Sequence, residues 1–232
     1  MKRCEMYEEQ KSGENKRSIK SVKMRGARKV EKILAVCQYI GCPALIVHPI
    51  KDDDPDKQWE QNLAMYRRLI PAGKKYGVKI CLENLNGRQG DHAIGWVCAD
   101  GEEVCRYLDL LNEEAGEEVF GFCLDIGHAN MASRNIRRFI RTLGHRLTCL
   151  HIHDNDGVWD LHQFPYTSKS GQNRSVPNLD WEGFLAGLRD IGYQGDLNFE
   201  TFGALLVLPR PLFEPALRYL GAIGKYFREQ IQ

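Results

Sequence analysis

Phe122-Cys123-Leu124-Asp125-Ile126-Gly127-His128 decides the fold: an apolar run stops abruptly at a carboxylate, a glycine and an imidazole. The run has the length and character of a buried strand, and a charge at the end of such a strand is costly to desolvate unless something pairs with it. Three other runs share this form: Lys79-Ile80-Cys81-Leu82-Glu83 before it, and Cys149-Leu150-His151-Ile152-His153-Asp154 and Asp196-Leu197-Asn198-Phe199-Glu200 after it. Helical stretches lie between them, so the runs read as parallel strands whose C-terminal tips converge on one point. Two Glu, one Asp and one or more His meeting there make a site for a divalent metal, and the metal offsets the cost of burying them.

The same pattern organises the rest of the chain. Ala44-Leu45-Ile46-Val47-His48-Pro49 adds a strand that stops at a proline, which gives five expected strands: 44–49, 79–84, 121–126, 148–153 and 196–200. Helices are expected over about 21–39, 59–76, 101–112, 134–143, 180–192 and 215–227, closed by Gly41, Gly77, Gly144 and Gly192, with Asp180 as a cap. A long polar loop follows Glu83 and another spans 155–178. Residues 1–20 are polar and of mixed charge and read as a flexible lead-in, followed by one domain over 21–232. A closed barrel of alternating strands and helices has eight strands. Five are visible here, and no strand is found in the first 43 residues.

Composition narrows the function. Lys plus Arg number 32 against 31 Asp plus Glu, a net charge of +1, which disfavours a protein built to coat nucleic acid. No apolar run approaches the ~18 residues of a membrane span, and the N-terminus is too polar for a signal peptide, so a cytoplasmic location is expected. The eight cysteines form no CxxC pair, and Cys81, Cys123 and Cys149 lie inside apolar strands, as expected of reduced core thiols. Neither a phosphate-cradling glycine loop nor a nucleophile elbow is present, and nothing supports covalent catalysis.

Several residues carry the chemistry. Glu83 and Glu200 each end an apolar strand, with no basic residue at the other tips to pair with them. Asp125 and His128, three apart around a glycine, can turn into one cavity at a strand-to-loop corner. His151 and His153 share one strand face, with His153 at the tip as the better ligand and His151 a core residue or a partner behind the ligands. His48 stands beside the other tips. Asp160 and His162 are spaced so that both side chains of an extended segment point one way. Trp96, Trp159 and Phe164 are walls or core, and an aromatic on such loops can stack on a sugar face.

These motifs in this order resemble the strand ends of the xylose isomerase-like TIM barrels. The motifs are His48-Pro49, Leu82-Glu83-Asn84, Leu124-Asp125-Ile126-Gly127-His128-Ala129, His151-Ile152-His153-Asp154-Asn155-Asp156-Gly157 and Phe199-Glu200, and the resemblance covers about residues 25–205. That group includes sugar-phosphate isomerases and epimerases and, more distantly, endonuclease IV. The resemblance implies a TIM (β/α) barrel lacking its N-terminal strands, since the strand at 44–49 resembles the family's fourth. In the ketose 3-epimerase branch it implies one divalent ion, most often Mn2+, with Zn2+, Co2+ or Mg2+ as substitutes, on Glu83, Asp125, His153 and Glu200. The two Glu shuttle the proton there and His128 touches the substrate. In the endonuclease IV branch, residues matching His48, His128, Asp160 and His162 hold further metal ions. The loop 163–178 lacks the compact glycine-rich turn common after the Asp-x-His pair.

The expected activity is isomerisation or epimerisation of a sugar or sugar phosphate, by proton transfer next to a carbonyl between Glu83 and Glu200 with a metal-stabilised enediolate. His48, His128, Asp160 and His162 then bind substrate hydroxyls or a second ion. The rival expectations are a multi-zinc phosphodiesterase acting on abasic DNA, and a truncated, inactive barrel. An open edge at the 44–49 strand invites self-association into a homo-oligomer.

Overall fold

A computed structural model describes residues 19–168 and 179–232. The expected lead-in over 1–20 falls mostly outside the described residues, although 19 and 20 already belong to helix α1 (Ile19–Ile40). Four parallel strands follow the expected alternation: β1 (Ala44–Ile46), β2 (Lys79–Glu83), β5 (Phe120–Asp125) and β6 (Leu147–His151), in the order β1-β2-β5-β6. They form a parallel half-barrel sheet.

The fifth expected strand, 196–200, is corrected to a single parallel bridge between Ile152 and Phe199. The Ile152 amide donates to Asn198 O at 2.9 Å and the Glu200 amide donates to Ile152 O at 3.0 Å. Two backbone bonds are enough to set Glu200 beside the tip of β6, and too few to continue a ladder.

Alternation divides the strands into two faces. Ile80 and Leu82, Phe120, Phe122 and Leu124, and Leu150 and Ile152 join one buried apolar cluster with the covering helices. Cys81 and Glu83, Cys123 and Asp125, and Cys149 and His151 alternate with them and face the concave side. The seven cysteines among the described residues are free thiols.

The helices start and stop where the sequence provides caps. Asp54 accepts from the amides of Asp56 and Lys57, with Pro55 as the first residue of α2 (Pro55–Arg67). The single helix expected over 59–76 is instead two, because Pro71 opens a new one, α3 (Ile70–Tyr76), which Gly77 closes at φ 62°. Asp100 caps α4 (Gly101–Ala115), Asp125 caps the short α5 (Ile126–Met131), Asn135 caps α6 (Ile136–Leu143) and Asp180 caps α7 (Trp181–Asp190). Helices α8 (Phe202–Leu206) and α9 (Phe213–Ile231) complete the chain.

The polar stretch after Glu83 holds an antiparallel hairpin, β3 (Asn86–Gln89) with β4 (His92–Gly95), where only a loop was expected. The Gly90-Asp91 pair at its turn was the available signal. Its strands are too polar to show alternation. Among the described residues, no helix is long and apolar enough to cross a membrane. Exposed apolar side chains gather on α1 (Val36, Tyr39, Ile40) and around α8 (Phe202, Leu206, Val207).

Candidate metal centre

Three strand tips and one bridge build the site. Asp125 pairs in register with His151 across β5 and β6, and Glu83 ends β2 one strand away. Glu83, Asp125 and His153 are 2%, 0% and 0% exposed, so three ionisable groups lie out of water together. No structural ion pair with Lys or Arg accounts for them: the partners of Glu83 and Asp125 among the described residues are histidines.

Each backbone segment turns its side chain inward for a local reason. Asp125 leaves the strand at φ −84° and caps α5, its Oδ1 accepting from the His128 amide at 2.7 Å. That cap places the His128 ring over the tip, with Nδ1 2.8 Å from Asn84 O. Asn84 is buried and ties β2 to β5, its amide donating to Asp125 O at 2.7 Å and its oxygen accepting from the Asp125 amide at 2.9 Å. Gly127 follows the Asp125 tip, and any Cβ there would overlap the His153 ring.

The distances define a continuous polar cluster. His153 Nε2 lies 3.0 Å from Asp125 Oδ1, and His151 Nδ1 lies 3.4 Å from Glu83 Oε1 and 3.2 Å from Glu200 Oε2. His128 Nε2 lies 3.1 Å from Asp160 Oδ2, and Asp160 in turn is 3.4 Å from His162 Nε2. His162 stacks on His153 with ring centroids 4.2 Å apart, and its Nδ1 is 2.9 Å from Glu200 O. His48 Nε2 reaches Glu83 Oε2 at 3.0 Å from the rim, with its side chain 66% exposed. All eight residues singled out from the sequence therefore lie at one end of the sheet. His151 joins them as closely as His153 does. Its two-residue spacing from His153 was the legible signal, while its position inside the strand favoured a core reading.

Charges in the cluster hold one another in place. Burial pushes Glu83 up, but the His151 and His48 hydrogen bonds and their charges outweigh it and hold its carboxyl at about 2. Burial pushes His128 down, yet the Asp125, Asp160 and Glu83 carboxylates raise it to about 10. Against burial, Glu83 likewise raises His151 to about 9. The Asp160 hydrogen bond, partly opposed by burial, raises His162 to about 9. Glu200 moves the other way, raised by burial and by the Asp125 and Glu83 charges against the pull of His151 and His162.

The donor set fits a divalent ion. His153 Nδ1 is buried with no hydrogen-bond partner, a costly state for such an atom unless a ligand meets it. Three overlapping groups bring ligand atoms within 4.8 Å of one another: Glu83, Asp125 and His128; Asp125, His151 and Glu200; His153, His162 and Glu200. Carboxylate and imidazole together suit Mn2+, Zn2+, Co2+ and Mg2+. Saturating such an ion to about 100 times its Kd is expected to stabilise the fold by about 2.7 kcal/mol, a rise in Tm of about 5–10 °C for a chain of this length. Thermal scans with each ion and with a chelator check this. A Tm that moves with none of them removes the metal.

Residues 18–223 match the family described as Xylose isomerase-like TIM barrel. The chain belongs to that family. Among the curated proteins of known sequence that this family member resembles is a D-psicose 3-epimerase from Enterocloster bolteae, 29% identical over 152 residues, covering 63% of this chain and 42% of the relative. An uncharacterized protein of Methanocaldococcus jannaschii is 29% identical over 145 residues, covering 61% of this chain and 43% of the relative. The match spans less than half the length of these curated relatives. Among solved structures, a D-tagatose 3-epimerase-like protein superposes with a TM-score of 0.65 at 18% identity, covering 90% of this chain and 73% of that one. That likeness shows that the xylose isomerase-like fold is shared.

Proposed function

We propose that the chain is a divalent-metal-dependent isomerase or epimerase of a keto sugar, which moves a proton on the carbon beside the carbonyl between Glu83 and Glu200. The observation that carries this reading is the pair itself. Both carboxylates reach the same His151 Nδ1, Glu83 from the end of β2 and Glu200 from the bridge beside β6, at 3.4 and 3.2 Å, so they border one small space. Their environments push them apart, with Glu83 held ionised at about 2 and Glu200 raised by burial.

Glu83, Asp125, His153 and Glu200 are the proposed ion ligands, with His151 within reach of the same space. A bound divalent ion supplies electrostatic stabilisation of the negative charge that develops on the substrate oxygens. The residues do the rest. Glu83 abstracts the proton on one face, and Glu200 returns one to the opposite face for epimerisation, or to the neighbouring carbon for isomerisation. His128, held between Asn84 O and Asp160, lines the rim of this space, and there Asp160 and the Nε2 of His162, a ring steadied by Glu200 O, are the groups suited to sugar hydroxyls. The relative named as a D-psicose 3-epimerase supports the same chemistry.

Incubating Mn2+-loaded protein with free ketohexoses in D2O tests the reading. The expected result is a new epimer or aldose carrying deuterium at the carbon that has changed. Unchanged sugars, with no deuterium taken up from solvent by any ketose or ketose phosphate, would overturn it.

One observation favours a second reading. The His153, His162 and Glu200 group offers a further ion position beside the first, as a multi-zinc phosphodiesterase requires. The net charge of +1 argues against a DNA-binding surface. Two or more tightly held zinc ions together with cleavage of an abasic duplex would replace the sugar reading by this one.

A further inference from the structure

The hairpin β3–β4 and the loop before α2 line an open surface cavity of about 400 Å³ that the proton-transfer site does not use. The volume is within the range of small-molecule pockets. Its lining includes Asp52, Asp53, Gln58, Arg88, Gln89 and Trp96. Trp96 is held as a fixed wall, because Gly87 lies against its ring where any Cβ would overlap it, and its Nε1 donates to Asp52 O at 3.3 Å.

Two connections join this cavity to the metal centre. Arg88, in the wall, donates to Val158 O at 3.1 Å and packs its guanidinium 4.2 Å from the Trp159 ring centroid, on the loop that carries Asp160. Lys51, next to Asp52, donates to Asn86 O and lies within electrostatic reach of Asp160. Through Arg88 the cavity wall touches the loop that carries Asp160, and through Lys51 its floor joins the segment that follows Glu83.

The wall chemistry selects the occupant. An indole edge beside carboxylates and carboxamides matches a sugar ring, with its apolar C–H faces and its hydroxyls that both donate and accept. The two cations are already committed. Arg88 is satisfied by Val158 O, Asp91 O and Trp159, and Lys51 by Asn86 O and the Trp96 face. The Asp52 carboxylate is fixed by the Asp54 amide at 3.0 Å and Gln61 Nε2 at 2.9 Å. With Asp53 it would repel a phosphate.

We propose that this cavity is a subsite for a neutral second sugar ring, so that the substrate is a keto sugar in glycosidic linkage rather than a free or phosphorylated monosaccharide. This rests on the sugar reading of the metal centre.

The test uses Mn2+-loaded protein and three probes: a free ketohexose, a neutral disaccharide of glucose linked to that ketohexose, and the ketohexose phosphate. Binding is read by calorimetry and, on protein loaded with diamagnetic Mg2+ instead, by the indole N–H resonance of Trp96. The disaccharide is expected to bind ~10-fold or more tightly than the free ketose, the gain from two added hydrogen bonds, and to be the probe that shifts the Trp96 signal. The double variant Asp53→Ala, Gln89→Ala should erase that advantage and leave free-ketose binding unchanged. Equal affinity for disaccharide and free ketose, tighter binding of the phosphate, or a double variant that weakens both neutral sugars alike would each overturn the subsite. Free ketose is the control for the underlying reading: if it is bound and turned over while the disaccharide gains nothing, the subsite alone is wrong, and if no probe binds, both fall.

Discussion

Glu200→Gln is expected to lower turnover by ~10²–10⁴-fold, the usual size of a general acid–base contribution, while sugar binding is largely kept. Glutamine preserves the shape of the side chain and its hydrogen-bonding reach to His151, 3.2 Å from Glu200 Oε2 in the wild-type chain. It cannot carry a proton at neutral pH. The bridge that places the residue depends on the Glu200 amide and Ile152 O, a backbone contact that the substitution leaves alone. Loss of turnover therefore reports proton transfer, provided the ion is still bound, and measuring metal content on the same sample separates the two. Near-normal turnover with the ion retained would take Glu200 out of the mechanism. Loss of both would make it a ligand first.

Glu200 also shows what was legible in the sequence. The tips at Glu83, Asp125 and His153 could be read because an apolar run that stops at a charge has few explanations, and the structure gathers those tips at one end of the sheet. Glu200 ends a similar run, yet that run forms only one bridge, since Asp196-Leu197-Asn198 is too polar to stand as an inner strand. The run was still informative: two backbone bonds aim the carboxylate as surely as a ladder would.

The hairpin after Glu83 was not legible, because β3 and β4 carry Asn, Arg, Gln and His and bury little. Neither was the break at Pro71, inside a stretch whose apolar spacing reads straight through as one helix. Periodicity reports burial against a core. Elements held by turn geometry or divided by a missing amide donor escape it.

Asn84 was visible only as the residue after Glu83. Its role is to lock the Asp125 backbone from a neighbouring strand, a contact 41 residues away in sequence that no local pattern records.

Gly127→Ala is expected to remove the metal without touching a ligand. Gly127 sits two residues beyond the Asp125 tip, and the His153 ring fills the space that any side chain there would need. The ring cannot move aside freely, because one side of it stacks on His162 at 4.2 Å and its Nε2 rests on Asp125. A methyl group at 127 must therefore push the imidazole off its position, and displaced support of this kind typically costs 10–100-fold in metal affinity. Overpacking in a buried site also costs about 1–3 kcal/mol of stability, so loss of metal could follow from general loosening. Gly121→Ala distinguishes the two causes. It lies on β5, the strand that leads into the Asp125 tip, and its Cβ would overlap the Thr148 side chain, away from the ligands. Both variants should lower Tm in the presence of chelator, whereas only Gly127→Ala should lose the additional rise in Tm on adding Mn2+. Equal ion-dependent stabilisation in the two variants would show that His153 is not among the ligands, and would shift the assignment on that side of the centre to His151, Asp125 and Glu200.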